Sequence, residues 1–235
     1  MNNTINRFTI NIPQTDIDDL KQRLALSRFP AEKTNDWTCG APVSYLQKIA
    51  SYWKTEFDWK KQEAWLNQYP QYIANINGQP IHFLHIPSAD PNAIPLMLIH
   101  GFPSSFVEFI KIIDLLSNSS QHAFHLIIPS IPGFGFSIPT GDQSWDLIKI
   151  ASVFAELMTT LGYEKFAVHG TDMGAGITGM LSAIAGHQLL GTHVNTDYTA
   201  VTGMACCRMI CNLFQKMKKR KSPGIKNMKK MERLI

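Results

Sequence analysis

The sequence predicts an α/β fold with a mostly parallel sheet covered on both faces, behind a helical N-terminal segment. Three observations predict it. Short apolar runs with little polar alternation recur beyond Pro95, longer stretches of helical spacing separate them, and residues 1–74 have helical spacing interrupted by loops.

Taken in order, "TDIDDLKQRLALSRFP" opens on Thr15 as an N-cap candidate. Acids follow that suit a helix start, then Leu20, Leu24 and Leu26 at near-helical spacing before Pro30. "VSYLQKIASYWKTEF" predicts a second helix with Tyr45, Ile49, Tyr52 and Trp53 on one face. At Tyr72 the period changes. "YIANINGQPIHFLHIPS" reads as two extended runs joined at Asn77-Gly78, a dipeptide that favours tight hairpins.

Buried strands are then predicted at Leu96 to His100, His125 to Ser130, Lys165 to Gly170 and Thr192 to Asn195. Helices are predicted at Phe106 to Leu116, Trp145 to Gly162 and Gly174 to Ala185. The second has a broad stripe of Leu147, Ile150, Ala151, Phe154, Leu157, Met158 and Leu161. After about Gly203 the regularity ends. The expected organisation is an accessory segment over 1–74, an incomplete core over 75–203 and an irregular basic tail over 204–235.

Composition excludes several classes. The 235 residues, 45% apolar, suffice for one sizeable core. No stretch approaches the roughly 18 consecutive apolar residues that span a bilayer, and "MNNTINRFTINIPQ" lacks the apolar centre of a signal peptide, so a cytoplasmic protein is expected. Cys39, Cys206, Cys207 and Cys211 form no metal-ligand spacing and no disulfide framework. Neither a metal nor a cofactor is expected. Of 22 Lys and Arg, ten fall between Arg208 and Ile235 against Glu232 alone, so only the tail is basic. No nucleic-acid motif surrounds that cluster.

Three stretches carry chemistry. In "VHGTDMGAG" a strand leads through Gly170-Thr171-Asp172-Met173-Gly174 into a helix. This is the small-x-nucleophile-x-small context in which a sharp turn lifts the central side chain above a sheet. Here that side chain is a carboxylate, which forms an ester with an electrophilic carbon and so suits epoxides or alkyl halides. The alternative is a turn whose Asp172 only caps the helix. "LIHGFPSS" ends a strand at the position whose loop supplies one oxyanion-hole N–H, with the residue after the nucleophile supplying the other; by position the donors are Phe102 and Met173. "IPSIPGFGFS" reads as a flexible loop after another strand, without a completed dinucleotide fingerprint.

On these residues the chain resembles the microsomal-type epoxide hydrolases of the α/β-hydrolase superfamily, from about Arg7 to about Thr199. "HGFPSSFVEF", "PSIPGFGFS" and "SWDLIKIASVFAELMTTLGYEKF" resemble that family's core. "RFTINIP", "LKQRLALSRFP", "YLQKIASYWKTEFDWKKQEAWLNQYPQY" and "GQPIHFLH" resemble its N-terminal region, which related dehalogenases lack. The membrane anchor of vertebrate members has no counterpart before Arg7. The resemblance implies an α/β-hydrolase fold, a small-molecule epoxide as substrate, and Asp172 as nucleophile forming a glycol ester. It further implies a water activated by a His–acid pair, and two lid tyrosines on the epoxide oxygen.

Only 63 residues follow Asp172, where the family's lid, acid and His belong. His187 lies past a helix of about a dozen residues, carried toward the other end of the sheet at roughly 1.5 Å per residue, and is expected at the surface. His193 sits inside a strand and reads as structural. Asp197 and Tyr198 match no acid or lid motif. Met173 stands where the family usually has Trp. The expectation is a C-terminally truncated relative, esterified at most once, with an unprotected edge strand near His193 and poor solubility. The rival readings are a non-catalytic binding or scaffold remnant and a haloalkane dehalogenase.

Overall fold

A computed structural model describes residues 4–196 except 32, 33, 35, 120, 121, 142 and 143. Asp197, Tyr198, Cys206, Cys207, Cys211 and the basic tail lie outside the described residues. The chain falls into two compact units, one of Arg7–Gln71 and one that joins the residues before it to those after it.

The Arg7–Gln71 unit holds α1 (Gln14–Ala25), a 3-10 turn at Trp37–Cys39, α2 (Val43–Thr55) and α3 (Trp59–Leu66). Thr15 is not the cap of α1. Pro13, with φ −58°, precedes the helix, and its carbonyl already accepts from Asp16 and Ile17, which puts Thr15 inside the first turn. Leu26 lies past the helix and is 79% exposed, so of the apolar residues of α1 only Ile17 is fully buried. α2 buries no residue, and its predicted face of Tyr45, Ile49, Tyr52 and Trp53 is exposed. α3, not singled out from the sequence, is capped by Asp58, whose carboxylate accepts from Lys61 N.

Polar side chains tie this unit together. The Asn67 amide accepts from Ile10 N and donates to Ile10 O, both at 2.9 Å, standing in for a strand partner. Glu63, nearly buried, accepts from Ile12 N at 2.7 Å, the Trp59 indole at 3.2 Å and the Lys60 ammonium at 2.8 Å. Burial pushes the Glu63 carboxyl up, but Lys60, Ile12 and Trp59 outweigh it and hold the group below its ordinary range.

Among the described residues the other unit is built on a seven-stranded sheet with helices, two of whose strands begin or end a residue or two across the boundary. β1 is Ile5–Phe8, β2 Gln71–Ile76, β3 Gln79–Ile86, β4 Ile94–Ile99, β5 Phe124–Pro129, β6 Phe166–Thr171 and β7 Leu189–Asn195, in the order β1-β2-β3-β5-β4-β6-β7. β1 was not foreseen. β5, β4, β6 and β7 run parallel, and β3 joins antiparallel. This is the α/β-hydrolase fold that the sequence predicts. The hairpin forms at Asn77 and Gly78, with φ 52° and 86°, the left-handed pair that a two-residue turn needs.

The core lies between the sheet and α5 (Leu147–Thr160). Ile150, Ala151, Phe154, Leu157 and Met158 cluster with Ile81, Phe83, Met97, Ile127 and Val168. Burying each large apolar side chain contributes about 1.5–3 kcal/mol. The helix predicted from Phe106 is a 3-10 stretch, Phe106–Ile112, followed by α4 (Ile113–Ser117). Phe106 and Phe109 are both buried, and residues three apart eclipse in that tighter winding. α6 is Met173–Ile184. β7 closes the order among the described residues, and Gly191 to Asn195 are exposed along it, as expected of an edge.

Candidate active site

Asp172 sits between the end of β6 and the start of α6 with φ 47° and ψ −115°. A residue that only caps a helix rests in extended backbone. Asp172 does accept from Met173 N, but in a backbone region that non-glycine residues rarely occupy and that must be held by its surroundings.

The surroundings are backbone packed on backbone. A Cβ on Gly174 would lie 2.2 Å from the Ile99 carbonyl oxygen, and one on Gly170 would lie 2.1 Å from that of Gly174. One on Gly101 would lie 2.7 Å from the Asp172 Cβ. Glycine at these three positions lets β4, β6 and α6 converge on one side chain.

Phe102 N donates to Asp172 Oδ1 at 2.9 Å and Met173 N donates to the same oxygen at 2.6 Å. The two amides singled out in the sequence therefore meet on one atom. Among the described residues Oδ2 takes no hydrogen bond, and the carboxylate is exposed.

Neighbouring groups complete the setting. The Thr171 hydroxyl donates to Glu108 Oε1 at 2.7 Å. His169 and His193 face each other across the parallel β6–β7 register with Nδ1 to Nδ1 at 2.7 Å and rings stacked at 4.8 Å. Burial first, and His193 second, push the His169 imidazole below its ordinary range. His100, at the end of β4, is fully buried and is likewise pushed down by burial, against the opposing influence of the Gly101 carbonyl and Glu108. His187 is exposed beyond the far end of α6.

No histidine hydrogen-bonds Asp172 among the described residues. Nor does any group of three or more His, Cys, Asp or Glu there form a metal-binding set. No helix there is long and apolar enough to cross a membrane. Cys39 is an exposed free thiol. The Thr171–Glu108 and His169–His193 pairs are not legible in the sequence because each joins distant segments; the β6–β7 register brings the two histidines together, and the approach of the 3-10 stretch to the end of β6 brings Glu108 to Thr171.

Comparison with known proteins gives two overlapping matches along the chain. The profile described as epoxide hydrolase N terminus matches residues 5–109, and that of the α/β-hydrolase fold matches residues 94–194. A putative epoxide hydrolase of Stigmatella aurantiaca is 43% identical over 198 residues, covering 81% of this chain and 45% of that protein. Epoxide hydrolase 1 of Oryctolagus cuniculus is 37% identical over 203 residues, 82% of this chain and 45% of the relative. The chain belongs to the epoxide hydrolase family.

Its structure agrees. The Aspergillus niger epoxide hydrolase superposes with a TM-score of 0.73 at 33% identity, covering 83% of this chain and 52% of that one. The juvenile hormone epoxide hydrolase of Bombyx mori gives 0.73 at 31% identity, covering 83% and 53%. The chain spans about half the length of the curated relatives it matches.

Proposed function

We propose that this chain opens small-molecule epoxides through an ester on Asp172. The observation that carries the reading is the pair of backbone N–H groups on Oδ1, which orients the carboxylate and leaves Oδ2 to react. Oδ2 attacks an epoxide carbon, the ring C–O bond breaks, and the released alkoxide takes a proton from water to give a glycol monoester. Oδ1 becomes the ester carbonyl oxygen. When water adds to that carbonyl, the charge develops on Oδ1 with the Phe102 and Met173 amides already bonded to it. Collapse releases the diol and restores the carboxylate.

Strain at Asp172 supports the same reading, since a capping role alone does not require it. With no histidine bonded to Asp172 among the described residues, the chain by itself is expected to stop at the ester. The division into an accessory segment (1–74), a core (75–203) and a tail (204–235), and a cytoplasmic detoxifying role, belong to this proposal.

The test is incubation of the purified chain with a terminal aryl epoxide, followed by intact-mass and peptide-mapping mass spectrometry. One adduct on the peptide containing Asp172, absent from Asp172→Asn, is the expected result. An unmodified protein, or equal labelling of Asp172→Asn, would overturn the assignment. Sustained diol formation would overturn the arrest at the ester and leave the nucleophile intact.

A further inference from the structure

The His100 ring bridges two loops at the carboxyl end of the sheet. Its Nε2 lies 3.1 Å from Ile131 N, which can only donate, so Nε2 is the acceptor and carries no proton. Its Nδ1 lies 3.0 Å from the Gly101 carbonyl oxygen, which can only accept, so Nδ1 carries the proton. The imidazole is therefore neutral and in one tautomer.

The Gly101 carbonyl belongs to the same peptide unit as the Phe102 N–H. A trans peptide is planar and its C=O and N–H point in opposite directions. Holding that oxygen from one side therefore aims the N–H on the other, and the N–H is the one that donates to Asp172 Oδ1. The Ser104 amide donates to the same carbonyl at 3.0 Å, so the plane is held from within its own turn as well. His100 adds what that turn lacks, a link to a segment distant in sequence. Through Ile131 N it ties the peptide to the loop after β5, and Phe134 of that loop packs edge-on against both His100 and Phe102, with ring centroids 5.6 and 6.1 Å away.

We infer that His100 is a positioning residue that clamps the Gly101–Phe102 peptide plane against the Ile131–Ser137 loop, so that the Phe102 N–H stays on Asp172 Oδ1. The "IPGFGFS" stretch thereby has a part in the site although none of its side chains bonds Asp172. The importance of the clamp for ester formation rests on the proposed function; the clamp itself does not.

Nitrogen-15 NMR of the whole chain tests the clamp directly. His100 is expected to show a protonated Nδ1 and an unprotonated Nε2. The opposite tautomer, or an imidazolium at neutral pH, would overturn it. Two variants test the consequence. His100→Phe keeps a ring without either hydrogen bond, while His100→Asn keeps a donor near the Nδ1 position.

In His100→Phe the Phe102 amide proton is expected to shift toward its position in Asp172→Asn, and the rate of ester formation to fall roughly tenfold or more. His100→Asn is expected to recover part of both. A folded His100→Phe with an unmoved Phe102 amide and an unchanged rate sinks the inference. If neither variant folds, the tautomer of the unaltered protein decides. Failure of the proposed function reads differently: labelling is then indifferent to Asp172→Asn while the tautomer and the Phe102 shift remain as described.

Discussion

The core that carries Asp172 and the Arg7–Gln71 unit are held by different means. In the core, Phe83, Met97, Ile127, Phe154 and Val168 are buried between a sheet and a helix, and backbones touch at glycines. In the N-terminal unit few apolar residues are fully buried, α2 buries none, and Glu63 and Asn67 satisfy backbone groups that no strand pairs. Apolar packing is non-directional and is legible as a period. Side chains that substitute for a ladder are directional, and nothing in their spacing announces them.

Substitutions can break that comparison. The largest effect is expected from Gly174→Ala, whose new Cβ would meet the Ile99 and His100 carbonyl oxygens at 2.2 and 2.7 Å. Neither can yield without moving β4, and about 3 kcal/mol or more of stability is expected to be lost in urea unfolding. An unchanged midpoint would show that the elbow backbone is not tightly packed.

Glu63→Ala comes next. It strands the Ile12 amide and the Trp59 indole, with an expected loss of about 2 kcal/mol and faster hydrogen exchange at Ile12. Because the Glu63 carboxyl is held low in the folded chain, its contribution is present above the ordinary carboxylate pKa and is lost as pH falls through the folded value. The variant should therefore lose part of the acid sensitivity of this unit.

A third effect separates the units by pH, vanishing near neutrality and growing with acid. His82 is fully buried with Nδ1 2.9 Å from the Ser130 hydroxyl, and burial pushes its pKa down to about 3. The unfolded chain takes up a proton near pH 6.5 that the folded chain refuses, so stability falls as pH drops from about 6.5 toward 3. His82→Asn is expected to flatten that slope by up to about 1.4 kcal/mol per pH unit. His85, His100 and His169 are also lowered by burial and leave part of the slope in place. An identical slope in the variant would show that His82 is already charged or accessible.

Much of the fold was legible, for a reason particular residues show. Asn77-Gly78 has two residues in the left-handed region, and the stripe of α5 is buried from Ile150 to Met158. Both are local patterns. β1 and α3 escaped notice: the four residues of β1 are too short for a period, and α3 was read only as part of a resemblance. The start of α1 was misread because Thr15 has the chemistry of a cap, whereas the fixed φ of Pro13 had already begun the helix.

At the site, the sequence by itself determined which groups are present: a carboxylate between glycines after a strand, and amides placed by their neighbours in the chain. Only the tertiary structure decided that the Phe102 amide, 70 residues from Asp172, shares an oxygen with the adjacent Met173 amide, and that His100 holds the peptide from behind. The physical reason is range. Turn geometry and strand or helix period are set by neighbours a few residues apart, while a hydrogen bond between loops exists only once parallel strands have set their register.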